Sequence, residues 1–527
     1  MRYLSYFMHL VPTLAFLAAA SLLGAEAGTP APTTTAAPAG PLTLGKAIDR
    51  TLLHNLGLTV TRLDALRTLD SVEISQSVFD PTFAWTNRLS GLRSYSTISA
   101  GDPAFRSHDS DFSLSQKFSW GGTLSVGAGL TRSWTESGNL GTASNFDLGT
   151  NVDYSQPLLA GGWRAVNLTA LITARQTATR SRLTLRAASL DLIRDTEVAY
   201  WSLAGARALV SLRETSLRSA ESLLAQIRAK RSLGDATVLE ELQAEADVSS
   251  QRVSVLNARQ SLDGAEMSLR RLLGQGDAVA VEQALVVEEM PTTAVSAPQA
   301  FAPWIRTVAD FDFDTAIQLS SISQADAAVA QAEQNNHPSL DLSVGSTRSG
   351  DRGAGVSAGF DQYRTRSGWS NYAQLKLSFP LGLREAEANL RSAYRARRQA
   401  ELRLADVRQN LVFTARASWR ELEATRARVD AATSSLELQR KSYEGERARF
   451  DAGQSDVLRV LQAQAALDSA QLNWVQSHLD ARAASAKVAR LDGSILARHG
   501  FTMDAVEQKI GAGLGSEDPL PPLTVTP

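Results

Sequence analysis

The chain has 527 residues, too many for one ordinary compact core, so it must form several domains or one very elongated one. A formal charge of −2, from 53 basic and 55 acidic residues, argues against a general nucleic-acid binder. Cysteine is absent, which removes disulfides, thiolate metal sites and cysteine nucleophiles, and the 6 histidines are scattered singly, which disfavours a histidine metal centre.

Arg2 precedes an apolar run from about Phe7 to Leu23, broken by Pro12, and Ala25-Glu26-Ala27 places small residues where a signal peptidase cleaves. The uninterrupted stretch is shorter than the roughly 20 residues that span a bilayer, so residues 1–27 are expected as a secretory signal peptide. Residues 28–41, rich in Pro, Thr and Ala, are expected as a flexible leader.

No later segment has the pattern of a transmembrane helix. Any passage through a membrane must therefore use strands closed into a barrel. Period-two alternation supplies candidates. Phe83, Trp85 and Leu89 alternate with polar residues after Asp80-Pro81. Phe112, Leu114, Phe118 and Trp120 do so ahead of Gly121-Gly122, and Leu124, Val126, Ala128 and Leu130 after it. Phe146, Leu148, Val152 and Tyr154 lead to Gln156-Pro157. In the second half Leu340, Leu342 and Val344 form one such run and Ala373, Leu375, Leu377 and Phe379 another. An ordinary soluble sheet has the same alternation, so the pattern alone leaves both readings open.

The helical signal is stronger. No proline lies between Pro157 and Pro291, or between Pro380 and Pro519. Leu203, Val210, Leu217 and Leu224 recur every seventh residue. So do Leu239, Ala246 and Val253, interleaved with Leu242, Ser249 and Leu256. This is the seam of a coiled coil. A helix from Arg164 to Leu233 would be roughly 105 Å long at 1.5 Å per residue. Each half is thus expected to form a long antiparallel helical hairpin turning at Leu233-Gly234-Asp235 or Ala452-Gly453-Gln454, with Gly205 and Gly264 as candidate breaks.

The halves are copies. Aligning Gly234 with Gly453 superposes Leu242-Gln243-Ala244 on Leu461-Gln462-Ala463, and Arg271-Leu272 with Gly274 on Arg490-Leu491 with Gly493. Upstream, Trp201 falls near Trp419 and Pro157 near Pro380. The expected organisation is a first structural repeat at 42–274, a connector at 275–303, a second repeat at 304–500 and a C-terminal tail at 501–527.

Several stretches together resemble the TolC-like outer-membrane efflux proteins over nearly all of the chain beyond residue 27. They are Leu42-Thr43-Leu44-Gly45-Lys46-Ala47-Ile48, Phe79-Asp80-Pro81, Gln156-Pro157-Leu158-Leu159-Ala160-Gly161-Gly162, and Gly453 with Val460-Leu461-Gln462-Ala463 and Leu467. The resemblance implies a mainly α fold with a transmembrane β part: duplicated hairpins forming an α-barrel, and a β-barrel shared between the protomers of a homotrimer. Arithmetic also points to an oligomer, since the clearest strand pair in each half gives about four strands against about eight in the smallest barrels. Three chains would then give about twelve strands. The stretch from Asp80 to Pro157 is longer than the family's simplest form, and an extra hairpin is expected around Gly121-Gly122.

The resemblance further implies a passive conduit in the outer-membrane lipid, with its helical part in the periplasm. Its partners would be a periplasmic adaptor (membrane fusion) protein and an inner-membrane transporter, in a tripartite efflux or type I secretion system. Adaptor docking is assigned to the tips, Leu233, Gly234, Asp235, Ala452, Gly453 and Gln454. Where family members often carry acidic residues around the periplasmic entrance, this chain has Glu240, Gln243, Arg459 and Gln462, and Glu240 with Arg459 is expected to form a charge-mixed constriction.

No catalytic constellation, cofactor or metal site is expected. Asp310, Asp312 and Asp314 lack the glycine-bearing loop of a calcium hand, and Asp314 is expected as a helix N-cap. Gly350, Gly353, Gly355 and Gly359 lack the Gly-Lys-Ser/Thr of a phosphate loop and are expected in an outward loop between strands. His478 stands alone on a helix. Two other readings compete: a periplasmic coiled-coil scaffold or adaptor without a pore, and an enzyme carried on a helical stalk.

Overall fold

The computed structural model describes residues 42–93, 104–137, 141–276, 285–289, 300–350 and 355–512. The expected signal peptide and leader, most of the connector and the end of the expected tail lie outside them. Among the described residues no helix is long and apolar enough to cross a membrane.

The first half opens with α1 (Leu44–His54) and α2 (Leu56–Gln76), capped by the side chains of Thr43 and Asn55, which accept from the Lys46 and Leu58 amides. Strands β1 (Thr82–Arg93), β2 (Ala104–Lys117), β3 (Thr123–Ser137) and β4 (Gly141–Pro157) follow. The long pair α3 (Arg164–Leu233) and α4 (Val238–Leu272) completes it. Neither Gly205 nor Gly264 breaks its helix. Gly205 instead makes room, because a Cβ there would stand 2.9 Å from both δ-carbons of Leu479.

The second half repeats this plan with α5 (Phe301–Phe311), α6 (Phe313–Asn335), β5 (Ser339–Ser349), α7 (Val356–Thr365), β6 (Gly368–Ser378), α8 (Arg384–Asp451) and α9 (Val457–Leu491). Two short helices, α10 (Ser494–Arg498) and α11 (Met503–Ala512), follow. The duplication holds in detail. Gly274 and Gly493 both take left-handed backbone after the return helix. Asn55 and Asp312 both cap the second member of the opening helix pair.

Three expectations change. The cap of α6 is Asp312, whose carboxylate accepts from the Thr315 amide, while Asp314 lies in the first turn. The glycine-rich stretch between β5 and β6 contains α7, not loop alone. Residues 503–512, expected as tail, form α11 and bury Val506 and Ile510 against Ile48, Leu52 and Leu185. The extra hairpin expected around Gly121-Gly122 is β2–β3, and with it the described residues form 6 strands in one antiparallel sheet of order β1-β2-β3-β4-β5-β6.

Helix α11 is fastened by charge as well as by burial. Arg182 and Arg186 both donate to Glu507 at 2.6 Å. Burial would push the Glu507 carboxyl up, but these two hydrogen bonds outweigh it and hold it below the usual carboxylate range. Glu507→Gln should weaken the docking of α11 at pH 7 by about 1–3 kcal/mol, seen as faster hydrogen exchange of the α11 amides while α4 is unchanged.

Candidate functional site: an amphipathic sheet and two helical tips

All the connections to the long helices leave the sheet at one end. There β1 begins, β4 ends at Pro157, β5 begins at Ser339 and β6 ends at Ser378. The register sorts the side chains into two faces. One row runs Trp85–Phe112–Ala128–Thr150, and the next runs Phe83–Leu114–Val126–Val152 and on through Ser346–Asn371, while Val344–Ala373 and Leu342–Leu375 lie on the same face of the later strands. This face is apolar, and Phe83, Trp85, Phe112, Val152, Leu375 and Leu377 are all exposed on it. The opposite face carries Asp109, Asp111, Asp147, Asp153 and Asp341 among Ser, Thr, Asn and Gly, with Arg88 opposite Asp109 and Lys376 opposite Asp341.

The polar face is also the crowded one. Tyr372 reaches across Gly345 to donate to Asp153 at 2.8 Å, which is why position 345 has no side chain. A Cβ at Gly129 would come within 2.7 Å of an Asp111 carboxylate oxygen. Side chains converge on the inside of a curved sheet and diverge on the outside. The polar face is therefore the inner one, and the outer one presents an apolar surface.

At the helix end, the β2–β3 turn is fixed to the strand-to-helix junction. Gly121 has φ +90, and a Cβ there would meet the Gly161 carbonyl at 2.5 Å. Trp120 stacks on Phe118 at 4.6 Å and donates through Nε1 to Tyr154. Gln156 Nε2 donates to the Trp120 carbonyl, and Asn167 Nδ2 to the Gly161 carbonyl. At the far end α7 packs on β4, where Tyr363 and Thr150 share a 2.6 Å hydroxyl hydrogen bond and Arg348 lies over the Tyr363 ring.

Both tips turn on glycine. Gly234 has φ +89 and Gly453 φ +73. Asp235 N donates back to the Lys230 carbonyl at 2.9 Å and Gln454 N to that of Arg449 at 2.8 Å, closing the helix ends. Leu233, Gly234, Asp235, Ala452, Gly453 and Gln454 are all exposed. Behind them an apolar cluster of Leu223, Ile227, Ala244, Phe450, Val457 and Val460 joins the two hairpins, and Lys230 stands 4.0 Å over the Phe450 ring.

The residues expected at the entrance are not brought together within one chain. Glu240 completes a capping box with Thr237, accepting from its amide at 2.6 Å. Arg459 is exposed beside Asp456, the cap of α9. Gln243 is half-buried and Gln462 exposed.

Two features escaped sequence reasoning. The seven-residue seam of α4 is not the hairpin's internal interface. Leu239, Leu242, Val253 and Leu256 are 64%, 56%, 55% and 63% exposed, whereas Ala244, Val248, Val255 and Ala258 are buried against α3. The copy in α9 is alike only in part: Leu458 and Leu472 are exposed, whereas Asp468 and Val475 are buried. The second is a buried carboxylate. Asp468 accepts from Ser216 at 2.6 Å, Gln251 at 2.8 Å and Gln464 at 3.2 Å, with Arg213 3.7 Å away. Nothing in the local pattern around Asp468 signals this, because its donors come from three helices. His478 lies buried against Trp474 with its pKa pushed down, chiefly by burial and then by the Arg482 charge.

An amphipathic sheet with an exposed apolar outside, mounted on paired long hairpins with exposed seams, defines a membrane channel subunit. Residues 116–275 and 316–494 match the outer membrane efflux protein family, and the chain belongs to that family. Its fold is similar to that of CusC, a structure described in terms of transmembrane channel formation, with 16% identity over 85% of this chain and 91% of that one and a TM-score of 0.64. It is also similar to the CmeC outer membrane channel of Campylobacter jejuni, with 16% identity, 89% of each chain covered and a TM-score of 0.64. The open-state MtrE outer membrane channel of Neisseria gonorrhoeae gives 16% identity over 85% and 88% of the chains and a TM-score of 0.63. At such identities the likeness is one of fold. No curated protein matches the chain in sequence.

Two outcomes check the geometry. Gly453→Ala forces a side chain into left-handed backbone at about 1–2 kcal/mol, so the Gln454 amide should exchange about 5–30-fold faster. Burial raises the Asp247 pKa, with the Asp468 charge adding to it against a hydrogen bond from Gln251. The resulting stabilisation is complete below the ordinary aspartate value of about 3.9 and is lost as pH rises through the folded value. Asp247→Asn should therefore stabilise the fold at pH 7 by at most about 1 kcal/mol, seen as a higher thermal midpoint, and leave the midpoint unchanged below about pH 4.

Proposed function

We propose that three copies of this chain form a conduit through the outer membrane, with the helical part in the periplasm and a periplasmic adaptor and inner-membrane transporter at its inner end. It would serve a tripartite efflux or type I secretion system. The observation that carries this reading is the exposed seam. Leu239, Leu242, Val253 and Leu256 on one hairpin are exposed within the chain, and so are Leu458 and Leu472 on the other, where Asp468 and Val475 of the corresponding face are already buried. A ring of alternating hairpins covers the exposed α4 seam of each chain with the hairpin of a neighbour. The unpaired outer edges of β1 and β6 support the same closure.

The tips, Leu233 to Asp235 and Ala452 to Gln454, are the proposed adaptor contacts. Glu240, Gln243, Arg459 and Gln462 are the proposed lining of the entrance, with Glu240 and Arg459 meeting between neighbouring hairpins. The competing reading, a periplasmic scaffold without a pore, leaves the apolar outside of the sheet without a role.

Val253→Asp with Leu472→Asp should disperse the trimer in detergent while helical circular dichroism is retained, since each buried aliphatic side chain contributes about 1.5–3 kcal/mol. A trimer that survives the pair, or wild-type particles without an axial channel in electron micrographs, would overturn the assembly. For the docking assignment, photo-crosslinkers at Asp235 and Gln454 should yield adaptor adducts in cells. For the entrance, Arg459→Ser should change closed-state conductance in planar bilayers, and an unaltered value removes Arg459 from the constriction.

A further inference from the structure

The clearest strand pair in each half gives about four strands per protomer for the membrane wall, whereas the sheet with its inserted β2–β3 hairpin has 6. We propose that all six enter the wall, so that the trimer encloses its lumen with eighteen strands rather than twelve. This deepens the trimeric reading and rests on it.

Three observations carry the proposal. First, the extra strands are inside the sheet, not appended to it. Strand β2 is paired with β1 from Ala104 to Ser115 and with β3 along its whole length, and β3 with β4 from Thr123 to Ser137. No arrangement that keeps these ladders brings β1 against β4. Second, β2 and β3 have 14 and 15 residues, more than the roughly 9–11 that cross a bilayer, and they continue both faces without a break. Phe112 and Val126 extend the apolar outside between Trp85 and Val152, while Asp111 and Ser125 extend the polar inside. Third, their turn is pinned at the helix end of the wall through Trp120, Tyr154 and Gln156, so the hairpin cannot swing out as a separate flap.

The consequence is a wider duct. At a strand spacing of about 4.8 Å and a tilt of about 40°, twelve strands close at a backbone radius of about 12 Å and eighteen at about 18 Å. The lumen then gains the carboxylates of Asp109 and Asp111 from the inserted hairpin.

The cysteine-free chain makes the test direct. Single-cysteine variants of the full chain in proteoliposomes are treated with a charged methanethiosulfonate, with quantitative labelling in denaturant as reference. Val152→Cys and Leu375→Cys, on β4 and β6, report whether the sheet faces lipid at all. Phe83→Cys, Phe112→Cys and Val126→Cys report on β1, β2 and β3, and Asp111→Cys and Ser125→Cys report on the lumen. The expected result is protection at all five outward positions and rapid labelling at both inward ones. If Val152→Cys and Leu375→Cys are protected while Phe83→Cys, Phe112→Cys or Val126→Cys labels as fast as Asp111→Cys, the six-strand wall is overturned and the channel stands. If Val152→Cys and Leu375→Cys also label, the channel reading itself fails. A cryo-electron microscopy map of the trimer counts the strands directly: eighteen supports the proposal and twelve refutes it.

Discussion

Hydrocarbon offers no hydrogen-bonding partner to a peptide group. A sheet with an apolar outer face can therefore lie in a membrane only if its two edges are paired. In this chain β1 and β6 are edges, and the sheet of 6 strands between them is too small to close on itself against about eight in the smallest barrels. The rest of the design follows from that shortfall. The chain has to find copies of itself, and whatever it builds beneath the sheet must be compatible with a ring.

The helical part meets the requirement through repetition. The return helix of the first hairpin buries Ala244, Val248 and Val255, and that of the second buries Val460, Leu467 and Val475, with Val460 packed in the cluster that joins the two hairpins. Each leaves a second, apolar face outside. On the trimeric reading, Leu239, Leu242, Val253 and Leu256 of α4 and Leu458 and Leu472 of α9 give each chain apolar surface for its neighbours. The two regions are joined stiffly. The Gly161 carbonyl accepts from Asn167, the Leu158 amide donates to the Leu340 carbonyl at 2.7 Å, and α3 runs from this junction to the tip without a break.

Much of this was legible in sequence because it depends on local rules. Alternation placed Phe83, Phe112, Leu124, Leu340 and Leu375 on strands. Glycine at 234 and 453 marked turns that need left-handed backbone, and the proline-free stretches gave α3 its observed limits, Arg164–Leu233. The misses were all non-local. Strand number depends on whether a hairpin inserts between β1 and β4 or stands apart, and alternation is the same in both cases. A heptad seam shows that a face will be covered, not whether its cover lies in the same chain. For α4 it does not. Asp312 and Asp314 are both competent caps, and the choice between them depends on where α5 ends. The anchoring of α11 depends on Arg182 and Arg186, more than three hundred residues upstream.

The duplication fails at one informative place. Asp468 on α9 is buried and bonded by Ser216, Gln251 and Gln464, so α9 is tied to the first hairpin by polar contacts that require fixed register. The corresponding position on α4 is Ser249, which is exposed and bonds only back to Glu245 in its own helix. On the trimeric reading, the two kinds of contact around the ring therefore differ in character. Within a chain, neighbouring hairpins share a buried carboxylate whose donors would be stranded by sliding. Between chains, the α4 seam offers Leu239, Leu242, Val253 and Leu256, apolar contacts that tolerate a shift of register far better. Relative motion of hairpins should then concentrate at protomer boundaries, with each chain moving as a unit. An ideally repeated sequence could not produce that division, because it would make every contact around the ring equally strong.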